Sequence, residues 1–177
     1  MHFSTTTLLL SLFTTTLCAP ISPPTLAHSV KPRALTSLSY NQFSISGGTG
    51  GSALAEANAA FPISSNALAT VSASDLKIIN TAAKVSEQAE VGTGGFNDAI
   101  AAAGGQGTEE GKALQVGKIK NKVLKLQTDV LRLQIQQAQG KAGLEAQIAQ
   151  QTTKLNANVK LDQANQGKVS KAVNFSG

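Results

Sequence analysis

The stretch Val116-Gly117-Lys118-Ile119-Lys120-Asn121-Lys122-Val123-Leu124-Lys125-Leu126-Gln127-Thr128-Asp129-Val130-Leu131-Arg132-Leu133 decides the fold. Its apolar residues at 116, 119, 123, 126, 130 and 133 are spaced 3, 4, 3, 4 and 3. That is a heptad seam, a pattern that only an α-helix turns into one continuous face. Leu124, Leu131 and Ile135 widen this face beyond a two-stranded seam, so the helix is expected to have more than one partner. Gly140 is the expected turn, with Gly143 as a competing stop. Beyond it Leu144, Ile148, Leu155 and Val159 define a second helix, with Thr152 in the missing seam position. Two helices of roughly 35–45 Å at 1.5 Å per residue can fold into an antiparallel hairpin.

Upstream the signals are shorter. Ser39 to Ser46 alternates imperfectly and reads as a short extended segment packing Phe43 and Ile45 onto the body. Gly47 to Gly51 is a loop, and Ser52 is placed to cap a helix that ends at Phe61-Pro62, since a residue before proline avoids the helical region. Ser72-Ala73-Ser74-Asp75 fits a capping box for a helix through Leu76, Ile79, Ala83 and Ala89, stopped by Gly92 to Gly95. A short helix from Phe96 to about Ala103 follows. The predicted fold class is all-α: a helical bundle built on a long C-terminal antiparallel helical hairpin, covered by two or three shorter N-terminal helices, in a single domain over 39–177.

Residues 1–18 read as a cleavable signal peptide. The apolar run Leu8-Leu9-Leu10-Ser11-Leu12-Phe13 is too short to span a bilayer, and Thr16 and Cys18 stand at −3 and −1 of the cut. The signal carries the one cysteine of the chain, so the remaining 159 or so residues hold no disulfide. The predicted localisation is secreted and extracellular. With no Trp, one Tyr and six Phe, the core must be built from aliphatic residues. Residues 19–38 hold four of the five prolines and read as a mobile Pro/Ser-rich lead. Within it Lys31-Pro32-Arg33 reads either as a processing site for a secretory protease or as plain linker. No apolar run after the signal is long enough for a transmembrane span.

The chemical inventory excludes most catalytic classes. The two histidines, His2 and His28, lie in the signal and the lead, so the body can form neither a Ser-His-Asp set nor a histidine metal site. Gly48-Thr49-Gly50-Gly51-Ser52-Ala53 formally matches a dinucleotide-binding loop, but that motif needs a parallel sheet, and the rest of the chain offers no second strand. No enzyme activity and no cofactor are expected. Charge is uneven: net −5 over 34–111 and net +8 over 112–177. The two segments are expected to attract each other, with Lys118, Lys120, Lys122 or Lys125 facing Glu87, Glu90 or Asp98. Lys118, Lys122, Lys125 and Arg132 share one helix face, which reads as a solvated stripe or as an anion-binding site. The stripe has no interleaved aromatics, so nucleic acid is not expected as a partner. Asn174-Phe175-Ser176 is a glycosylation sequon at the extreme C-terminus, expected to be mostly unmodified.

The runs Tyr40-Asn41-Gln42-Phe43-Ser44-Ile45-Ser46-Gly47-Gly48, Ala53-Leu54-Ala55-Glu56-Ala57-Asn58 and Ala113 to Gln127 resemble a family of small secreted proteins of filamentous ascomycete fungi, over about Tyr40 to Phe175. The resemblance implies an exported, cysteine-free protein of the effector-candidate type and brings no catalytic residues with it. The functional expectation is a secreted, non-enzymatic protein acting in host interaction. The alternative is a module that binds a cell surface, a lipid or a hydrophobic surface. The partner is accordingly expected outside the cell: a host protein, a cell wall or a lipid surface.

Overall fold

The computed structural model describes residues 34–176. The expected signal peptide and residues 19–33 of the lead lie outside the described residues. The described body is mostly helical. Its elements are α1 (Tyr40–Phe43), β1 (Gly48–Thr49), α2 (Ala53–Ala60), a 3-10 helix (Ser65–Thr70), α3 (Ala73–Val91), α4 (Phe96–Ala102), α5 (Glu109–Ala138), α6 (Glu145–Gln163) and β2 (Val169–Ser170).

Helix α5 carries the heptad seam and forms the axis of the body. At 30 residues it runs about 45 Å. Thr108 caps it by accepting the Gly111 N–H at 3.0 Å. Glu109 and Glu110 stand in its first turn, where acids suit the positive helix end. The wide apolar face does have several partners, because α3, α6, α2, α4 and β2 all pack on α5. One core joins Val123, Leu124, Leu126 and Ile135 to Ile79 of α3, Ala57 of α2 and Leu155 of α6. A second core gathers Leu114, Ala89 and Phe96 with Tyr40, Val173 and Phe175. Tyr40 meets Phe43 and Phe175 edge-to-face at 5.6 and 5.8 Å between ring centroids.

Four local expectations change. Ser39–Ser46 is not extended throughout, because Gln42 Oε1 accepts from the Ser39 N–H and hydroxyl, closing one turn as α1. Phe43 and Ile45 still pack on the body. The chain does supply a second strand: β2 pairs antiparallel with β1, Gly48 opposite Ser170 and Thr49 opposite Val169. The lead is docked at its end, since the Leu35 N–H donates to Asp75 Oδ1 at 2.9 Å and the Leu35 side chain packs on the core. Asp75 is thereby diverted from the reciprocal half of the capping box, while Ser72 keeps the other half and accepts the Asp75 N–H at 3.0 Å.

Gly117 lies in the middle of α5, where glycine is normally costly. The reason is a crossing backbone. A Cβ at 117 would lie 2.1 Å from the Lys171 carbonyl oxygen, and the Lys171 N–H donates to the Ala113 carbonyl at 2.9 Å. The segment after β2 therefore lies directly on α5, which seats Val173 and Phe175 in the second core.

Candidate functional site

A groove of about 510 Å³ with largely apolar walls lies between the segment 34–38, the end of α2 and the first half of α3. Sites for small molecules occupy roughly 300–1,000 Å³ and combine apolar walls with a few polar groups. The fold builds this groove from its irregular parts. Docking of Leu35 on Asp75 lays the entering chain along α3. The α2 helix ends at Phe61-Pro62, which turns the chain away and leaves Phe61 as a wall. Leu35, Phe43, Phe61 and Ile78 supply apolar surface, and Leu38 at the rim is 46% exposed. Lys77 is the one charged residue lining it, with Ser74 and Thr81 nearby. Lys77 has no ion pair among the described residues.

The basic stripe is brought together with acids rather than presented alone. Lys122 lies 3.2 Å and Lys118 3.9 Å from Glu90, which is almost fully buried on α3. Lys118 also donates to Asn97 Oδ1 at 2.6 Å. Lys125 pairs with Glu87. Burial lowers the Lys125 pKa, while Asp129 raises it and Lys154 lowers it. Arg132 stands apart from these α3 acids and bonds Asp129 and Gln136 of its own helix. The two oppositely charged segments thus meet along the α3–α5 seam, at Glu87 and Glu90. Asp98 instead accepts from the Gly94 N–H at 2.8 Å.

The glycine loop is gripped by two buried charges that the sequence reading did not place there. Lys120 is 1% exposed, and its three N–H groups reach the Gly47 carbonyl (2.9 Å), the Thr49 carbonyl (3.0 Å) and the Glu56 carboxylate (3.0 Å). An ammonium has three donors, and all are used. Asp162 of α6 accepts from the Gly51 N–H at 2.9 Å and the Ala53 N–H at 2.8 Å. It is the anion at the start of α2, the place where a bound phosphate would sit in a nucleotide-binding loop. Ser52, the expected cap, spends its hydroxyl on Glu56 instead. Next to this clamp, buried Asn121 accepts from the Tyr40 hydroxyl at 2.9 Å and donates to the Ser86 carbonyl at 2.8 Å.

The sequence of the body, residues 35–174, matches a family described as a domain of unknown function (DUF8454). The chain belongs to the DUF8454 family. No curated protein and no solved structure matches the chain. The DUF8454 segment starts at the residue docked on Asp75 and ends at Asn174, whose Oδ1 accepts from Asn41 Nδ2 at 2.5 Å. Both ends of the DUF8454 domain are therefore tied to its body. No group of three or more metal-ligating side chains is assembled among the described residues, and no described helix is long and apolar enough to cross a membrane. The groove went unread in the sequence because its walls come from three separated segments. Its one available signal was Lys77 on an otherwise apolar stretch from Leu76 to Ile79.

Proposed function

We propose that this chain is an exported, non-enzymatic binding protein, and that it binds an aliphatic chain with an anionic head in the groove between 34–38, α2 and α3. One observation carries this reading: an open apolar groove whose single lining charge, the exposed Lys77, is free of ion pairs among the described residues and so available to an anionic head. Export is supported by the signal-like residues 1–18 and by the resemblance to small secreted fungal proteins. A non-enzymatic role is supported by the inventory, since both histidines and the cysteine precede residue 34. Of the two functional expectations, the groove favours the lipid or hydrophobic-surface binder. Host interaction is then the setting in which such binding acts.

The scaffold for this role is read as an antiparallel hairpin of α5 and α6. Support comes from their packing, from the short connection 139–144, and from the bond between Gln137 and Glu145 at 2.9 Å across it. Equilibrium dialysis of the purified protein against hexadecanoate, below its micelle concentration, tests the function. Saturable binding at one ligand per chain is expected, little affected by moderate salt because the apolar tail dominates. Absence of saturable uptake contradicts the proposal.

A further inference from the structure

Lys77 belongs to a row of donors on α3. Ser74, Lys77, Thr81 and Lys84 follow one another at spacings of 3, 4 and 3, which places them on one face of the helix. All four are exposed. The first three line the groove, and Lys84 stands one turn past Thr81. Lys84, like Lys77, has no ion pair among the described residues. The acids of α3 are engaged elsewhere. Asp75 accepts the Leu35 N–H, Glu87 pairs with Lys125, and Glu90 pairs with Lys118 and Lys122. Two uncompensated positive charges therefore stand on one face with a hydroxyl between them. We infer that the anionic head taken at the groove is a phosphate monoester, held by Lys77 and Lys84 with the Thr81 hydroxyl. The inference rests on the groove reading above and names the head that the groove selects.

Charge and donor count select this head. A carboxylate brings one charge and two oxygens, which the ammonium of Lys77 satisfies by itself. It leaves Lys84 unused. A phosphate monoester carries about −1.5 to −2 charges at pH 7 and three acceptor oxygens. A diester keeps one ionised oxygen and gains as little from Lys84 as a carboxylate does. Lys77 and Lys84 are seven residues apart, a rise of about 10 Å. Their flexible stems let both ammonium groups converge on one ion lying over Thr81. Lysine binds phosphate as a point charge, so this convergence needs no fixed planar geometry. The third oxygen is then left for the Thr81 hydroxyl. With the head held at 77–84, the alkyl chain lies along the apolar wall formed by Ile78, Leu35 and Phe61.

The test is equilibrium dialysis of the purified protein at pH 8 against hexadecyl phosphate and hexadecanoate, each below its micelle concentration. Hexadecyl phosphate is expected to bind at least about fivefold tighter and to lose more affinity with added salt. Lys84→Gln, at an exposed and unpaired position, is expected to keep the urea midpoint. It should weaken hexadecyl phosphate by about fivefold and leave hexadecanoate unchanged, whereas Lys84→Arg should retain most of the phosphate preference. An equal concentration of inorganic phosphate is expected not to displace hexadecyl phosphate. Equal wild-type affinities, or a Lys84→Gln variant that weakens both ligands alike or neither, overturn the inference and leave the groove reading standing. Displacement by inorganic phosphate overturns it as well, since the ion then binds without a tail. Absence of saturable binding of either alkyl ligand to the wild-type protein overturns both readings.

Discussion

Replacing Gly117 by Ala sets two effects of known sign against each other. Within an exposed helix the change stabilises by about 1 kcal/mol, because glycine loses more backbone freedom on folding. Here the added methyl would lie 2.1 Å from the Lys171 oxygen, 3.0 Å from its carbon and 3.1 Å from Phe96 Cε1. Two of those atoms are backbone and cannot rotate away. The segment after β2 must retreat by more than ~1 Å to reach ordinary contact, and retreat stretches the 2.9 Å bond from Lys171 to Ala113. Overpacking of this kind costs about 1–3 kcal/mol, and a lost backbone bond costs about 1 kcal/mol more. The expected net result is a destabilisation of about 2 kcal/mol. In urea, with a slope of about 1–3 kcal/mol/M, that lowers the midpoint by about 1 M. Gly107→Ala is the control, because a Cβ there meets nothing within 4 Å. It should be neutral, or stabilise by up to about 1 kcal/mol. If Gly117→Ala proves as stable as the unaltered protein, the C-terminal segment does not cross α5 there and the second core is wrongly described.

Other substitutions separate packing from charge. Lys120→Met leaves two loop carbonyls and Glu56 without their partner and should cost about 3–5 kcal/mol by urea denaturation. Leu126→Ala should cost about 2–5 kcal/mol, whereas Lys122→Ala, on a partly exposed pair sharing Glu90 with Lys118, should cost under about 1 kcal/mol and become milder with salt. Burial raises the Tyr40 pKa, against smaller opposing hydrogen bonds from Ser44 and Ser46. A folded-state pKa above the unfolded value gives stability that is complete below about pH 10 and lost as pH rises through the folded value. Tyr40→Phe should therefore lower stability at pH 8 by about 1–3 kcal/mol, by orphaning Asn121 Oδ1, and should lose less on going to pH 11 than the unaltered protein does.

The parts of the fold legible in the sequence were those whose cause is local. The 3-4 spacing of Val116 to Leu133 is a property of one helix, and the expectation that it needed several partners followed from the width of its face. The Ser72 cap and the Phe61-Pro62 stop are likewise written within a few residues. The attraction between α3 acids and α5 cations was legible because net charge needs no register. What stayed hidden depends on long-range closure. Asp162 caps α2 from 109 residues away, and nothing near Ser52 announces it. Gly117 reads as a weak point in a helix until the Lys171 backbone is laid over it. Lys120 looked like one more cation near the stripe, although the chain folds it inward onto carbonyls of the glycine loop. The groove was invisible for the same reason: Leu35, Phe61 and Ile78 become neighbours only after folding.

The central claim, that the groove takes an aliphatic chain by its tail and Lys77 takes the head, is tested most directly by hexadecanoate affinity in paired groove variants. Ala59→Trp places a large ring in the groove from an exposed position, and Lys77→Glu reverses the lining charge. Both variants should keep the urea midpoint of the unaltered protein. Ala59→Trp should reduce hexadecanoate affinity at least about tenfold, a loss of about 1.4 kcal/mol. Lys77→Glu should weaken hexadecanoate while strengthening hexadecyltrimethylammonium. Unchanged affinities for both ligands in both folded variants would contradict the account.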